Sequence, residues 1–303
     1  MAFNGQKSKI KSHLEMDNTT QTLITAVDKL SDSKELKQLF HEQQFGNPLP
    51  SQEQLQTIID TLRSIIFPGF YGRSNVNIKT IKYHIGVRVE RLQKLLIEQV
   101  LAGLCFVDSV PGTEQITLDI LKNKAKKIAN DIVATLPNLK AILATDIEAA
   151  YLGDPAADNQ SEIIACYPCI KALTNYRLAH ELFVMGVPLI PRMLTEMAHS
   201  ETGIDIHPGA QIGHHFCIDH GTGVVIGGTC IIGNNVKLYQ GVTLGAKSFP
   251  LDEEGNPIKG IPRHPILEDD VIVYSNATVL GRITIGKGVV IGANKWVTES
   301  IFK

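Results

Sequence analysis

No stretch of this 303-residue chain approaches the ~18 consecutive apolar residues that a membrane-crossing helix needs. Nor does charge of one sign dominate: 29 Lys plus Arg stand against 31 Asp plus Glu. Neither nucleic acid nor an anionic membrane surface is therefore implied as a partner. The first sixteen residues carry Lys7, Lys9 and Lys11 but no apolar run, so no secretory leader is expected. Five cysteines are an odd count without the dense spacing of a disulfide scaffold, which favours a reducing, cytoplasmic setting. Cys166-Tyr-Pro-Cys169 has the spacing of a redox motif but lacks the surrounding βαβ pattern, so buried structural thiols are expected.

What the chain does have, from Ile204 onward, is a count of six. Aliphatic residues fall at Ile206, Ile212 and Ile218, then at Ile226, Ile232, Leu238 and Leu244. They resume at Leu267, Val273, Val279, Ile285, Ile291 and Val297. The fourth residue after each is mostly small or aliphatic, as at Ala210, Cys230, Val236, Val242, Val271 and Ala277. Six fits neither the 3.6 of a helix nor the 2 of a strand. It suits a chain wound into a triangular coil, one hexad per side, with the aliphatic residue inside.

Before Ile204 the periodicity is helical. Leu55, Ile58, Ile59, Leu62, Ile65 and Ile66 repeat at three and four, and Pro68-Gly69 stops them. A long amphipathic helix is predicted over 78–104 and a break at Val110-Pro111-Gly112. A further helix is predicted from Ile116 to Leu136, with Thr117 as a possible N-cap and Pro137 ending or kinking it. Three more follow over 141–151, 167–185 and 188–200. The expectation is an α+β chain: an all-α domain over 1–203, then a parallel β-helix over 204–303 with an extended loop at 246–266.

Two places break the sixfold count. Two extra residues lie between Ile218 and Ile226, around Asp219-His220-Gly221-Thr222-Gly223, and a long excursion separates Leu244 from Leu267. Interruptions of a rigid scaffold are where functional groups tend to sit, and both carry histidine. His220 is a candidate general base if Asp205, less than one coil earlier, orients its ring; both also read as turn residues. Arg263 and His264, between prolines, suit a carboxylate clamp, or Arg263 merely anchors the loop to Glu268 or Asp269. Asp154 in Gly153-Asp154-Pro155-Ala156 reads, by itself, as a turn or cap residue.

Taken together, these strings resemble the serine O-acetyltransferases. The match runs through Asp154-Pro155-Ala156-Ala157, Tyr176-Arg177-Leu178-Ala179-His180, Asp205-Ile206-His207-Pro208, Asp219-His220-Gly221-Thr222-Gly223, Gly241-Val242-Thr243-Leu244-Gly245 and Arg263-His264-Pro265, and covers roughly residues 140–303. The resemblance implies a left-handed parallel β-helix that forms a homotrimer or a dimer of trimers, with active sites between subunits. It implies acetyl transfer from acetyl-CoA to L-serine in cysteine biosynthesis, with no tightly bound cofactor and no metal, and L-cysteine as feedback inhibitor. By the same resemblance His220 is the general base and Asp205 its partner. Asp154 and Asp219 bind the serine ammonium, and Arg263 and His264 its carboxylate. Gly245, Ala246 and Ser275 line the acetyl-CoA groove.

Several positions depart from the pattern. Gly228 stands where many relatives have Glu, Ala246 replaces a frequent Gly, and the loop before Arg263 is long. Phe302-Lys303 offers no isoleucine-ended tail of the kind that docks into O-acetylserine sulfhydrylase, so that partnership is not expected. Two other readings compete. His215 and His220 are five apart, as in zinc carbonic anhydrases built on the same trimeric solenoid, with His207 or His214 as a third ligand. The other is a non-catalytic solenoid scaffold.

Overall fold

The computed structural model describes residues 19–32, 39, 41, 44–72, 76–106 and 117–303. The break expected at Val110-Pro111-Gly112 lies outside them. Two units divide the chain, residues 1–44 and 45–303. The first contains a helix over 19–30; everything that follows concerns the second.

Helix α1 (Gln52–Ile66) starts where Ser51 accepts a hydrogen bond from the Gln54 amide, and it buries Leu55, Ile58, Ile59 and Leu62. Helix α2 (Ile81–Leu104) begins three residues later than the periodicity suggests. The carboxamide of Asn77 accepts from the amides of Lys79 and Thr80, so 78–80 form a turn. Thr117 caps α3 (Leu118–Gly153) as expected, but Pro137 neither ends nor divides it. The predicted helices on either side of that proline are one, because Leu136, Leu139, Leu143 and Ile147 continue a single buried face across it. Packing there outweighs the one hydrogen bond that proline forfeits. A short helix α4 (Gln160–Cys166), capped by Asn159, was not anticipated. Helices α5 (Pro168–Val184) and α6 (Ile190–Thr202) follow, and Gly203 ends α6 in the left-handed region at φ 71. Among the described residues, no helix is long and apolar enough to cross a membrane.

From Asp205 the chain forms a left-handed parallel β-helix of thirteen short strands in three sheets. The first sheet holds β1 (Asp205–Ile206), β4 (Val225–Ile226), β7 (Thr243–Gly245), β10 (Thr278–Leu280) and β13 (Trp296–Val297). The second holds β2 (Gln211–Ile212), β5 (Ile231–Ile232), β8 (Ile266–Leu267) and β11 (Thr284–Ile285), and the third β3 (Cys217–Asp219), β6 (Lys237–Tyr239), β9 (Ile272–Val273) and β12 (Val290–Ile291). The hexad residues from Ile206 to Ile291 are buried in the coil.

Register shows how the interruptions are absorbed. Val225 pairs with Thr243 and Ile266 with Thr284, the regular step of 18. Asp205 pairs with Val225, a step of 20, because two residues bulge at Asp219–Gly223. Ile231 pairs with Ile266, a step of 35, because seventeen residues loop out. Neither insertion disturbs the ladder. The loop folds on itself, with Leu251 bridged to Pro257 and a turn in which Asp252 accepts from the amides of Glu254 and Asn256. Ile301 adds a last bridge to Ile285.

Helix α5 fixes the helices on the first coil. The Tyr176 hydroxyl donates to Ala210 O (2.6 Å), and His180 Nδ1 donates to Pro208 O (2.8 Å). Arg177 donates to Ile212 O and Gly213 O while ion-paired to fully buried Asp146 at 3.0 Å. Asp146 in turn accepts from the Phe216 amide. The Tyr-Arg-x-x-His pattern therefore serves docking: its polar atoms satisfy carbonyls of the coil that no strand pairs.

Candidate active site

The two interruptions come to opposite edges of the first sheet. Along one edge, corner amides form a ladder from Gly223 to Gly203, Gly241 to Thr222, Asn276 to Gln240 and Asn294 to Ser275. Along the other, the ladder runs from His207 to Ile226, Gly227 to Leu244 and Gly281 to Gly245. The bulge with Asp219 and His220 stands on the first edge, and the end of the long loop, Arg263 and His264, on the second. Residues 224–228 cross the face between them, on the order of 15 Å of extended chain.

On the first edge His220 has φ 57, a left-handed conformation that the regular corners give to Asn276, Asn294 and Gly241. The side chain is 76% exposed, with Nε2 3.9 Å from Asp219 Oδ1. Asp219 itself is largely buried and ion-paired to Lys237 at 3.1 Å. Lys237 Nζ also donates to Gly153 O (2.6 Å) and lies 4.5 Å from the centre of the Tyr239 ring. Asp154, one residue beyond the end of α3, accepts from the Tyr167 hydroxyl at 2.5 Å and from the Ala156 amide at 2.8 Å. Those two bonds hold its carboxyl below the usual carboxylate range, and the first of them pushes the Tyr167 phenol up. Asp154, Asp219 and His220 thus gather at one place.

The second edge is organised by Thr229. Its hydroxyl oxygen accepts from the amides of Arg263 (2.9 Å) and His264 (3.1 Å) and lies 2.8 Å from His264 Nδ1. That nitrogen accepts from the Thr229 amide (3.1 Å), which leaves the ring proton on Nε2. Burial, reinforced by the Arg263 charge, lowers the His264 pKa to about 4, so the imidazole is neutral at physiological pH. The loop is anchored by Arg282, which donates to Thr229 O and His264 O. Arg263 makes no ion pair with Glu268 or Asp269 among the described residues; its guanidinium carbon lies 5.6 Å from the Phe249 ring centre, and its Nε is buried without a partner.

Asp205 lies on the face between the edges. Among the described residues no bond joins it to His220; the nearest cation is Arg192, at 3.9 Å, which also pairs with Glu196. Glu196, His199 and Asp205 approach one another within 4.8 Å, but Arg192 neutralises both carboxylates, so the group reads as an ion-pair network. The histidines of the zinc reading are dispersed in the protomer: His215 meets Glu148 on α3 and His207 accepts from Gly209 N. Gly245 ends β7 and Ala246 follows it on the second edge, whereas Ser275 sits on the first, so one protomer does not bring the three together.

Sequence reasoning missed Tyr167, Lys237 and Thr229. Tyr167 lies inside the Cys166–Cys169 string, where its hydroxyl rather than either thiol reaches the site; Cys166 is exposed, against expectation, and Cys169 buried. A polar residue at an outward strand position, such as Lys237, gave the only available signal. Gly228 has a steric reason: a Cβ there would stand 2.7 Å from His207 Nδ1.

A helical cap docked on a hexad coil, with histidines at the coil's two interruptions, is the build of an acyltransferase. No family model matches the chain. It is 48% identical over 280 residues to a "serine acetyltransferase, plasmid" of Synechococcus elongatus, covering 92% of this chain and 87% of that one. A serine acetyltransferase of Bacillus licheniformis is 44% identical over 160 residues, 53% of this chain and 70% of its relative. The crystal structure of Entamoeba histolytica serine acetyltransferase 1 in complex with L-cysteine aligns at TM-score 0.70 and 37% identity, over 90% of this chain and 91% of that one. The chain belongs to the serine acetyltransferase family.

Proposed function

We propose that Asp154, Asp219, His220, Arg263 and His264 are the groups with which this family member moves an acetyl group from acetyl-CoA to the hydroxyl of L-serine. The observation that carries the reading is the sorting of charge between the two edges. One offers carboxylates for an ammonium, and the other a guanidinium and an Nε2–H donor for a carboxylate. A small zwitterion needs both. Because the edges lie across a strand from each other, we propose that one edge of a copy faces the other edge of its neighbour, in a homotrimer that completes each site. Gly245 and Ala246 on one copy and Ser275 on the next then border a shared acetyl-CoA groove.

In this scheme the exposed imidazole of His220 takes the proton from the serine hydroxyl as its oxygen attacks the thioester carbon. The tetrahedral oxyanion collapses, the carbon–sulfur bond breaks, and the thiolate recovers the proton from His220. Asp205 takes the orienting role, which requires its carboxylate to exchange Arg192 for the imidazole. No acyl-enzyme forms, so the five unpaired cysteines are spectators; their free state also supports a cytoplasmic setting. L-cysteine carries the same ammonium and carboxylate and is proposed to occupy the serine site as inhibitor.

A thiol-release assay with acetyl-CoA tests the reading. Release should require L-serine, and L-homoserine, one methylene longer, should react poorly because its hydroxyl misses His220. Equal turnover of both acceptors, or hydrolysis indifferent to either, would overturn it.

A further inference from the structure

Lys237 belongs to no string that pointed to the site, yet it touches more of the acidic edge than any residue that did. It leaves β6 on the outward side, next to β3, with which β6 is in register through Cys217–Lys237 and Asp219–Tyr239. Its side chain is only 15% exposed, and its ammonium has three neighbours. One is the carbonyl of Gly153 at 2.6 Å, the last residue of α3, where the helix dipole favours a cation. The second is Asp219 Oδ2 at 3.1 Å, and the third is the face of Tyr239. Burial works against the charge, but bonds to Tyr239 and Asp219 outweigh it, so the amine stays protonated.

These contacts join two separate pieces of chain. Gly153 immediately precedes Asp154, and Asp219 immediately precedes His220. One ammonium therefore ties the helix end bearing the first carboxylate to the coil corner bearing the second carboxylate and the base. A Cβ on Gly153 would already lie 3.3 Å from Nζ, so helix and lysine are closely fitted. Charge matters as much as position. Two carboxylates with one resident ammonium leave a single negative charge, the complement of one substrate ammonium.

We propose that Lys237 is a positioning residue for the transfer reaction, holding Asp154 and Asp219 at the spacing and net charge that accept the ammonium of serine. The inference rests on the reading of those carboxylates as ammonium ligands. Lys237→Met keeps most of the stem and removes the charge, Lys237→Arg keeps the charge, and Asp219→Asn tests the underlying reading. Steady-state kinetics of each should be measured for L-serine and acetyl-CoA separately. Lys237→Met should raise KM for L-serine about tenfold or more, the scale of one charge-assisted contact, while kcat and KM for acetyl-CoA move less than about threefold. Lys237→Arg should recover most of the loss, and carries the test by itself if the methionine variant fails to fold: a serine KM raised as far as in Asp219→Asn would then count against the inference. An unchanged serine KM in Lys237→Met beside a raised one in Asp219→Asn would overturn the role of Lys237 and leave the ammonium site standing. A lowered serine KM in Lys237→Met would show the lysine competing for the carboxylates, which also overturns it. If neither Lys237→Met nor Asp219→Asn changes serine KM, the ammonium-site reading itself fails.

Discussion

Along one edge of the first sheet Asp219 meets Lys237 and Asp154 meets Tyr167, whereas along the other Arg263 and His264 hang from Thr229 and Arg282. The backbone of the two edges is nearly the same, a ladder of corner amides that repeats each turn. Their chemistry differs because each coil interruption supplies different side chains, and because α3 and Tyr167 lean on only one of them. The first edge is held by charge pairs and presents an exposed base. The second is held by a hydroxyl and carbonyls and presents a neutral imidazole beside a cation. A repeating scaffold thus acquires direction only where its repeat fails.

The sharpest way to break that contrast is to disable each edge in a different copy. His220→Ala should lower kcat by about 10² to 10⁴, the usual loss of a general base, with the fold intact. Arg263→Ala disables the other edge. If sites form between copies, co-refolding the two impaired chains in equal amounts should restore, at L-serine well below the KM of Arg263→Ala, roughly a quarter of wild-type activity, since random mixing pairs two intact edges in about that share of sites. No recovery in verified mixed oligomers would place both edges of a site in one protomer.

The docking of the helices on the first coil can be tested by stability. Arg177→Met leaves Asp146 fully buried without its cation and strips the donors from Ile212 O and Gly213 O. Removing one partner of such a pair should cost about 3–5 kcal/mol in denaturant unfolding. A loss under about 1 kcal/mol would mean that the ion pair does not hold helices to coil.

Arg263→Ala by itself should weaken L-serine and L-cysteine together by about 1.5–3 kcal/mol, the worth of a charge-assisted bond, as read from serine KM and cysteine Ki. Loss of serine affinity with full cysteine inhibition would put cysteine at another site.

The smallest expected effect concerns pH. The folded His264 pKa lies near 4, below the unfolded value, so the unfolded chain binds this proton first as pH falls. Its contribution to stability is complete above about pH 6.5 and is lost progressively down to about pH 4, on the order of 2 kcal/mol. His264→Asn should flatten that part of the stability profile; an unaltered slope would assign it to other groups.

The helices and coils were legible in proportion to their periodicity. Twelve of the thirteen hexad positions named from spacing are buried in the coil, and the residue counts of both interruptions reappear as register steps of 20 and 35. Pro137 misled because propensity is local, whereas the buried face of Leu136, Leu139 and Leu143 that carries α3 past it is not. The short α4 was too brief to show a period.

For the site, the sequence by itself determined which residues interrupt the repeat, since a period of six makes every exception visible: Asp219-His220 and Arg263-His264 stand out without any coordinates. Only the tertiary structure decided what those exceptions face. It set Asp154 against Tyr167 and Lys237 between Gly153 and Asp219, hung His264 from Thr229, and turned Asp205 toward Arg192. The physical reason is that a periodic backbone prescribes inward and outward, and so the core, through local spacing alone. Hydrogen bonds and ion pairs between outward side chains depend on distances across 13 to 84 residues of chain, which no local pattern encodes.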